Sequence, residues 1–146
     1  MADTRTVELS REDVDAFLGA GGTGVISFPG DPPHSLPVSY GYDAQEGWFY
    51  FRLAYQPDSQ KPDYDAGTVS FVTYDETEDG WQSVVATGDL QPVEEADVPS
   101  DVLAGLQRVD IPLVDIFEKP VRETTFGFFV LDPDAVSGRR EAPDAG

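Results

Sequence analysis

Three residues, Arg52, Ser59 and Lys61, have types and spacing that suggest chemistry. They follow the aromatic run at residues 48–51, WFYF, which is typical of a buried β-strand. Arg52 ends this run, and a short loop then brings a serine hydroxyl and a lysine ammonium. Only two lysines and seven arginines occur in the chain, so two cations this close together are notable. Because such donors bind phosphate, the pattern predicts an anion site.

The same side chains have a simpler interpretation. The chain carries 28 acidic residues, so Arg52 and Lys61 could instead form surface salt bridges with some of them. Ser59 on its own is compatible with an ordinary loop serine. Spacing alone therefore leaves both interpretations open.

Composition excludes several other kinds of site. Cysteine is absent, which excludes disulfides, thiolate metal sites, iron–sulfur clusters and cysteine nucleophiles. The single histidine, His34, lies in a proline-rich loop and excludes a polyhistidine metal site within one chain. The acidic residues form no paired-carboxylate motif. We therefore predict no metal site and no catalytic side chain.

The net charge of −19 is spread along the 146 residues and not gathered into one tail. A uniformly acidic surface repels itself at low salt, and we interpret it as an adaptation to a salt-rich cytoplasm. The alternative is an ordinary acidic domain. In either case, repulsion from phosphate backbones argues against nucleic-acid binding.

Targeting features are missing from the chain. No apolar run approaches the roughly 18 residues that a membrane span requires. The first ten residues, MADTRTVELS, are polar and lack the apolar centre of a secretory signal. We expect a cytoplasmic protein that does not bind membranes.

Two helices are predicted outside the strands. Ser10 has the form of an N-cap, with Val14, Phe17 and Leu18 following at helical spacing and Gly19 ending the helix. A second helix is predicted over residues 99–108, capped by Asp97.

Six short strands account for most of the remaining chain. Glycine turns at residues 43–47 and 76–80 favour hairpins, and Gly88 indicates a bulge within a long strand. Short strands joined by hairpins predict a six-stranded antiparallel barrel with peripheral helices, in one domain over residues 1–138. Residues 139–146 are predicted to be a disordered acidic tail. The strands are predicted at residues 24–28, 36–42, 48–53, 68–74, 81–90 and 124–131. Within TVSFVTY, strict alternation predicts Val69 and Phe71 on one face of the strand and Ser70, Val72 and Tyr74 on the other.

This order of elements, with the segments LPVSYGYDxxxGWFYFRLAxxxxSxK, TVSFVTYDE and GWQSVVATGDL, resembles the pyridoxamine 5′-phosphate oxidase-like FMN-binding split barrels. It is most similar to the small nitroimidazole-resistance-type branch of archaea and bacteria, in a halophilic form. The resemblance spans about residues 10–138. It implies a mainly β, six-stranded antiparallel split barrel and a homodimer that holds FMN in clefts between its subunits.

The resemblance also assigns nine residues to the cofactor. Three match positions that grip the FMN phosphate, four match the wall beside the isoalloxazine, chiefly through their main chain, and two match a contribution from the partner subunit. In that order they are Arg52, Ser59 and Lys61; Leu53, Pro37, Val38 and Ser39; and Trp81 and Gln82. Two positions depart from the family pattern, because Leu53 replaces a common threonine and Pro62 directly follows Lys61.

The function implied is that of an FMN-dependent oxidoreductase, similar to flavin reductases or pyridoxamine-phosphate oxidases, acting on an unknown small molecule or electron donor. The flavin would carry the chemistry, which suits a chain without cysteine. One alternative is a non-enzymatic module of the same fold that holds flavin, a deazaflavin or haem. Another alternative is a dimeric barrel that has lost its ligand. Leu53, in place of the common threonine, is the feature that supports this alternative.

Overall fold

The computed structural model describes residues 4–55, 67–78, 80–108 and 125–143. These contain seven strands, two α-helices and one 3-10 turn. In chain order the elements are β1 Thr4–Glu8, α1 Arg11–Leu18, β2 Gly21–Phe28, β3 His34–Asp43, β4 Trp48–Tyr55, β5 Thr68–Thr77, β6 Gly80–Val93, the 3-10 turn Glu95–Asp97, α2 Ser100–Arg108 and β7 Thr125–Pro143.

The strands form one sheet in the order β1-β7-β4-β3-β2-β5-β6, and β6 also pairs with β7. That second pairing closes strands β2 to β7 into a six-stranded barrel, with β1 added outside β7. The pairings between these strands are antiparallel. Closure leaves the six barrel strands without a free edge, and the predicted six-stranded antiparallel split barrel is confirmed.

Aromatic side chains fill the barrel interior. The ring of Phe71 is fully buried and lies 4.9 Å from Phe51, 5.2 Å from Tyr40 and 5.6 Å from Phe49, measured between ring centroids. Inward positions alternate along each strand, because successive side chains of a strand point to opposite faces. The predicted bulge is present as a register shift between β6 and β7 at Thr87/Gly88.

Helix α1 lies beside one end of the barrel. It begins after Ser10, whose Oγ accepts a hydrogen bond of 3.1 Å from the Asp13 N–H, and it ends at Gly19, where φ is 58°. Its buried residues are Val14 and Leu18. The cap and the stop match the prediction, because a side-chain oxygen satisfies an unpaired N–H at the start and glycine tolerates the left-handed backbone at the end.

A hydrogen-bonded cluster holds α1 to the turn between β3 and β4. The Tyr42 hydroxyl donates to Asp15 Oδ1 at 2.6 Å, and Arg11 Nε donates to the same oxygen at 3.1 Å. Arg11 Nη2 also donates to the Ala44 carbonyl at 3.1 Å. The carboxylate of Asp15 therefore connects the helix to β3 and, through Arg11, to the turn that follows it.

Helix α2 packs outside the barrel on β3 and β4. Gly41 allows this close approach, because a Cβ at that position would lie 2.6 Å from Val102 Cγ1. Tyr50 and Leu106 are buried in the same cluster. The helix begins at Ser100, and Asp97, predicted as its cap, lies instead in the preceding 3-10 turn.

Strand β7 is longer than predicted. It continues to Pro143, so the prediction of a disordered tail is wrong for residues 139–143. The reason is pairing on both sides: Arg139 lies opposite Ser83 of β6 and opposite Glu8 of β1. Backbone partners on both sides stabilise this polar end of β7, although residues 139–143 show no apolar alternation.

Within the described ranges, no helix is both long and apolar enough to span a bilayer.

Candidate functional site on the outward face of the barrel

The outward side chains of β2, β3, β5 and β6 form a surface that we call the open face. It is organised in rows that cross the strands in register. An apolar row contains Pro37, Val25, Val72 and Val85, and a hydroxyl row contains Ser35, Ser27, Ser70 and Thr87. A third set of outward residues is made of the pair Ser39 and Thr23 and the pair Tyr74 and Ser83.

Small side chains make this surface flat, and many of them are polar. In the hydroxyl row, Ser27 Oγ and Ser35 Oγ lie 2.8 Å apart and share a hydrogen bond. In the apolar row, Val25 is 38% exposed although it sits mid-sheet. A flat surface of small groups can lie against a planar molecule or against another protein surface.

Arg52 lies at the margin of the open face. It sits on β4 opposite Phe128 of β7, and its side chain is partly buried. Because Tyr40 pairs with Phe51 in the antiparallel ladder, Ser39 and Arg52 are the next residues along their strands, and both point outward. A cation and a hydroxyl therefore follow directly after the last pair of β3 and β4, one on each strand.

The other phosphate-binding candidates, Ser59 and Lys61, lie outside the described residues, as does Pro62. Their assignment stays a prediction. Arg52 is the one residue of the predicted anion site that lies within the described ranges.

Four residues were assigned to the isoalloxazine wall, and their side chains divide between the two faces. By strand alternation Pro37 and Ser39 point outward, although Ser39 is only 5% exposed, whereas Val38 and Leu53 are 5% and 1% exposed and belong to the barrel core. Only the main chain of Val38 and Leu53 can therefore meet a ligand on the open face. The side chain at position 53, where relatives often carry threonine, points into the interior.

Trp81 lies at the far side of the open face, and Gln82, the next residue of β6, points to the opposite face of that strand. Trp81 is 47% exposed and its ring centroid is 6.2 Å from that of Tyr74, beside a groove of about 270 Å³ that Arg139 also lines. Gln82 lines the same groove, and its Nε2 donates to Thr77 Oγ1 at 3.0 Å.

Arg52 and Trp81 do not meet within one chain. Across the open face their strands are separated by four steps in the order β4-β3-β2-β5-β6, about 19 Å at about 4.8 Å for each step. Through β7 the two strands are only two steps apart, but Arg52 lies opposite Phe128, and Phe128 lies opposite Val93, at the other end of β6 from Trp81. A single site that uses both residues requires Trp81 to come from a second copy.

Several outward residues of the open face were not predicted to belong to a binding site. Ser27 alternates with buried neighbours in GVISF, as Ser70 and Tyr74 do in TVSFVTY, and Thr23 directly precedes GVISF; this alternation was the available signal. Arg139 was missed because it was assigned to the tail. Among the described residues, no group of three or more His, Asp or Glu side chains is placed to hold a metal ion.

Comparison with known proteins identifies the family. The model of the family described as pyridoxamine 5′-phosphate oxidase matches residues 10–140. The chain belongs to this family. The match spans every barrel strand from β2 to β6 and most of β7. No match was found among curated proteins.

Several solved structures share the fold of this pyridoxamine 5′-phosphate oxidase family member. An FAD-binding protein from Mesorhizobium loti is 21% identical, with a TM-score of 0.64 over 96% of this chain and 99% of that one. An FAD- and haem-binding protein from Mycobacterium smegmatis is 13% identical, with a TM-score of 0.60 over 97% and 76%. A protein from Bacteroides thetaiotaomicron, to which 5-nitroimidazole antibiotic resistance is ascribed, is 14% identical, with a TM-score of 0.59 over 97% and 90%.

Proposed function

We propose that the protein binds a flavin, with FMN as the first candidate, and acts as a flavin-dependent oxidoreductase on a small molecule in the cytoplasm. The observation that carries the proposal is the position of Arg52 beside Ser39, at the margin of an outward face made of small side chains. Family membership and the likeness to an FAD-binding protein support it.

The residues present suit such a cofactor. A flavin phosphate needs charged and hydroxyl donors, which Arg52 offers and which Ser59 and Lys61 would complete. The planar ring needs a flat surface, which the row Pro37, Val25 and Val72 provides. The bound flavin would supply hydride or electron transfer, and the residues of this chain would bind and orient it.

A second copy of the chain completes the proposed site. The open face leaves Val25, Tyr74 and Trp81 exposed at 38%, 63% and 47%, and a partner's open face would cover them. Because Trp81 is remote from Arg52 within one chain, Trp81 and Gln82 of one subunit would meet the cofactor held by the other. The proposed assembly is therefore a homodimer with its cofactor at the interface.

A non-enzymatic module that holds flavin, a deazaflavin or haem is the second candidate. It is favoured by the chemistry of the open face, whose described side chains are mainly aliphatic, hydroxyl and aromatic groups. The similar Mycobacterium smegmatis protein binds both FAD and haem. Stopped-flow mixing of the FMN-loaded protein with NADH or NADPH separates the two candidates. Reduction of the flavin, followed by turnover with an acceptor, supports the enzyme. A flavin that neither nucleotide reduces supports the module.

The binding proposal is tested by comparing FMN with riboflavin, which lacks the phosphate. We expect the wild-type protein, purified in molar KCl, to bind FMN, and Arg52→Ala to weaken FMN binding by about tenfold to a hundredfold, because charge-assisted hydrogen bonds to the phosphate are lost. Riboflavin affinity should change little. Fluorescence quenching of each flavin gives both dissociation constants.

Arg11→Ala is the matched control. It also removes one arginine from the acidic surface, but Arg11 lies beside α1 and hydrogen-bonds to Asp15 and Ala44. Its FMN affinity should equal that of the wild type. Equal losses in Arg11→Ala and Arg52→Ala would mean that net charge alone controls binding, and wild-type protein that ignores FMN would reject the proposal.

A further inference from the structure

A second cleft lies away from the open face, between α1 and the β5–β6 hairpin. Its volume is about 460 Å³, which is within the range of small-molecule sites. Side chains from α1, from the hairpin and from β7 line it. None of these residues belongs to the phosphate-binding set of the proposed flavin site, although Gln82 borders both places.

Arg140 supplies the positive charge of this cleft. Its backbone is fixed on both sides, opposite Val7 of β1 and Gln82 of β6. Its Nε is buried and has no hydrogen-bond partner among the residues that the structure describes. A buried guanidinium N–H without an acceptor is unfavourable, so this atom favours a ligand that brings an acceptor, such as a carboxylate.

The other polar groups of the cleft are acceptors. Asp13 enters from α1 and Asp75 from the hairpin. Because Gln82 Nε2 donates to Thr77 Oγ1, its Oε1 oxygen is left to accept. Three acceptors suit the three hydrogens of an ammonium group, and two carboxylates would repel a ligand that is only an anion.

The apolar lining favours a ligand with an aliphatic part. Leu9, Ala16 and Phe17 contribute this surface beside the polar groups. We propose that the cleft binds a small zwitterion, an α-amino acid with an apolar side chain. Its carboxylate would pair with Arg140, its ammonium with Asp13 and Asp75, and its side chain with Leu9 and Phe17.

The first test titrates the full chain in molar KCl by calorimetry with L-leucine and two analogues. 4-Methylpentanoate keeps the carboxylate and lacks the ammonium, and 3-methylbutylamine keeps the ammonium and lacks the carboxylate. We expect leucine to bind and each analogue to bind at least about tenfold more weakly, because each loses one charged pair. Failure of leucine to bind, or equal binding of either analogue, would overturn the proposal.

The second test uses variants. Arg140→Gln should weaken leucine binding by at least about tenfold, whereas Arg139→Gln, at the next position and on the opposite side of β7, should leave it unchanged. Asp75→Asn should also weaken binding, and it keeps the oxygen that accepts from the Glu76 N–H at 2.8 Å. If Arg140→Gln does not fold, the Asp75→Asn variant and the two leucine analogues still test whether the cleft binds a zwitterion.

An unchanged leucine affinity in Asp75→Asn and in a folded Arg140→Gln would show that neither charge binds the ligand, and it would overturn the proposal. These measurements use no flavin. A negative result in these leucine-binding measurements would therefore not affect the flavin proposal. Equally, loss of FMN binding in Arg52→Ala would not test the cleft.

Discussion

The inward and outward faces of the same barrel strands are built from different side chains. Inward, β5 contributes Val69, Phe71 and Thr73, which are 1%, 0% and 5% exposed. Outward, the alternate residues of that strand include Tyr74, which is 63% exposed, and Val72, which lies in the open apolar row. One strand therefore serves a sealed core and an uncovered surface at once.

This difference shows which face is complete within one chain. The interior is closed by large aromatic rings in contact, as expected for a packed core. The open face combines small hydroxyl residues with exposed apolar ones, and such a surface gains stability when a ligand or a partner covers it. The fold is thus determined by the interior, and the open face is the surface that we propose binds the flavin.

Replacing Phe71 by alanine should have the largest effect. We expect the free energy of unfolding to fall by about 3–5 kcal/mol, because a buried aromatic ring is lost and a cavity remains. Val72→Ala, at the next residue but on the open face, should cost less than about 1 kcal/mol. Urea denaturation in molar KCl, at protein concentrations low enough to avoid association, measures both. Similar losses would mean that the open face is packed like the core.

An aspartate at position 25 tests whether a second copy covers the open face. Val25→Asp should raise the dissociation constant of the dimer about tenfold to a hundredfold, because the new carboxylate would be buried at the interface without a partner. Light scattering coupled to size-exclusion chromatography, over a series of protein concentrations, measures this constant.

The control for this variant is Val136→Asp. Val136 is 43% exposed, close to the exposure of Val25, but it lies beside Arg11, Val14 and Tyr42 at the α1 end of the barrel. Its dimer should be as stable as that of the wild type. A wild-type protein that is monomeric at every concentration, or equal weakening by the two variants, would remove the open face as the dimer interface.

Periodicity was sufficient to predict the barrel. The alternation of TVSFVTY placed Val69 and Phe71 on one face and Val72 on the other, and the structure agrees. The bulge at Gly88 and the Ser10 cap were also predicted correctly, because each rests on a local backbone requirement that one residue type meets.

Features that depend on distant pairing were not predictable in the same way. Strand β1 and the last residues of β7 are polar, and they are strands because each lies beside the other and β7 also pairs with β6. For the site, the sequence singled out Arg52, but the outward direction of Ser39 and the inward direction of Leu53 follow from strand parity within the closed barrel. Ser59 and Lys61 stay predictions.

Tyrosine ionisation distinguishes the two faces with a smaller effect. Burial, together with the hydrogen bond to Asp15, raises the pKa of Tyr42 to about 12. Burial also raises the pKa of Tyr40 to about 12, and its hydroxyl donates to the Leu18 carbonyl at 3.0 Å. Both phenols belong to the barrel core.

The sign of the pH effect follows from these values. Above the ordinary tyrosine pKa of about 10, the unfolded chain loses protons that the folded chain keeps, so stability is fully present below pH 10 and falls as the pH rises toward 12. We expect Tyr42→Phe to make that fall shallower, and also to lower stability by about 1 kcal/mol at neutral pH through loss of the hydrogen bond to Asp15. Unfolding free energies from pH 8 to pH 13 measure both effects.

Tyr74→Phe is the outward counterpart, since Tyr74 is exposed on the open face. It should leave the alkaline fall in stability as steep as in the wild type. If Tyr74→Phe flattened the curve and Tyr42→Phe did not, the alkaline transition would arise on the open face. An exposed phenol can control unfolding only if a partner buries its surroundings. Such a result would therefore mean that the interior of the barrel is not the part of the molecule that sets stability.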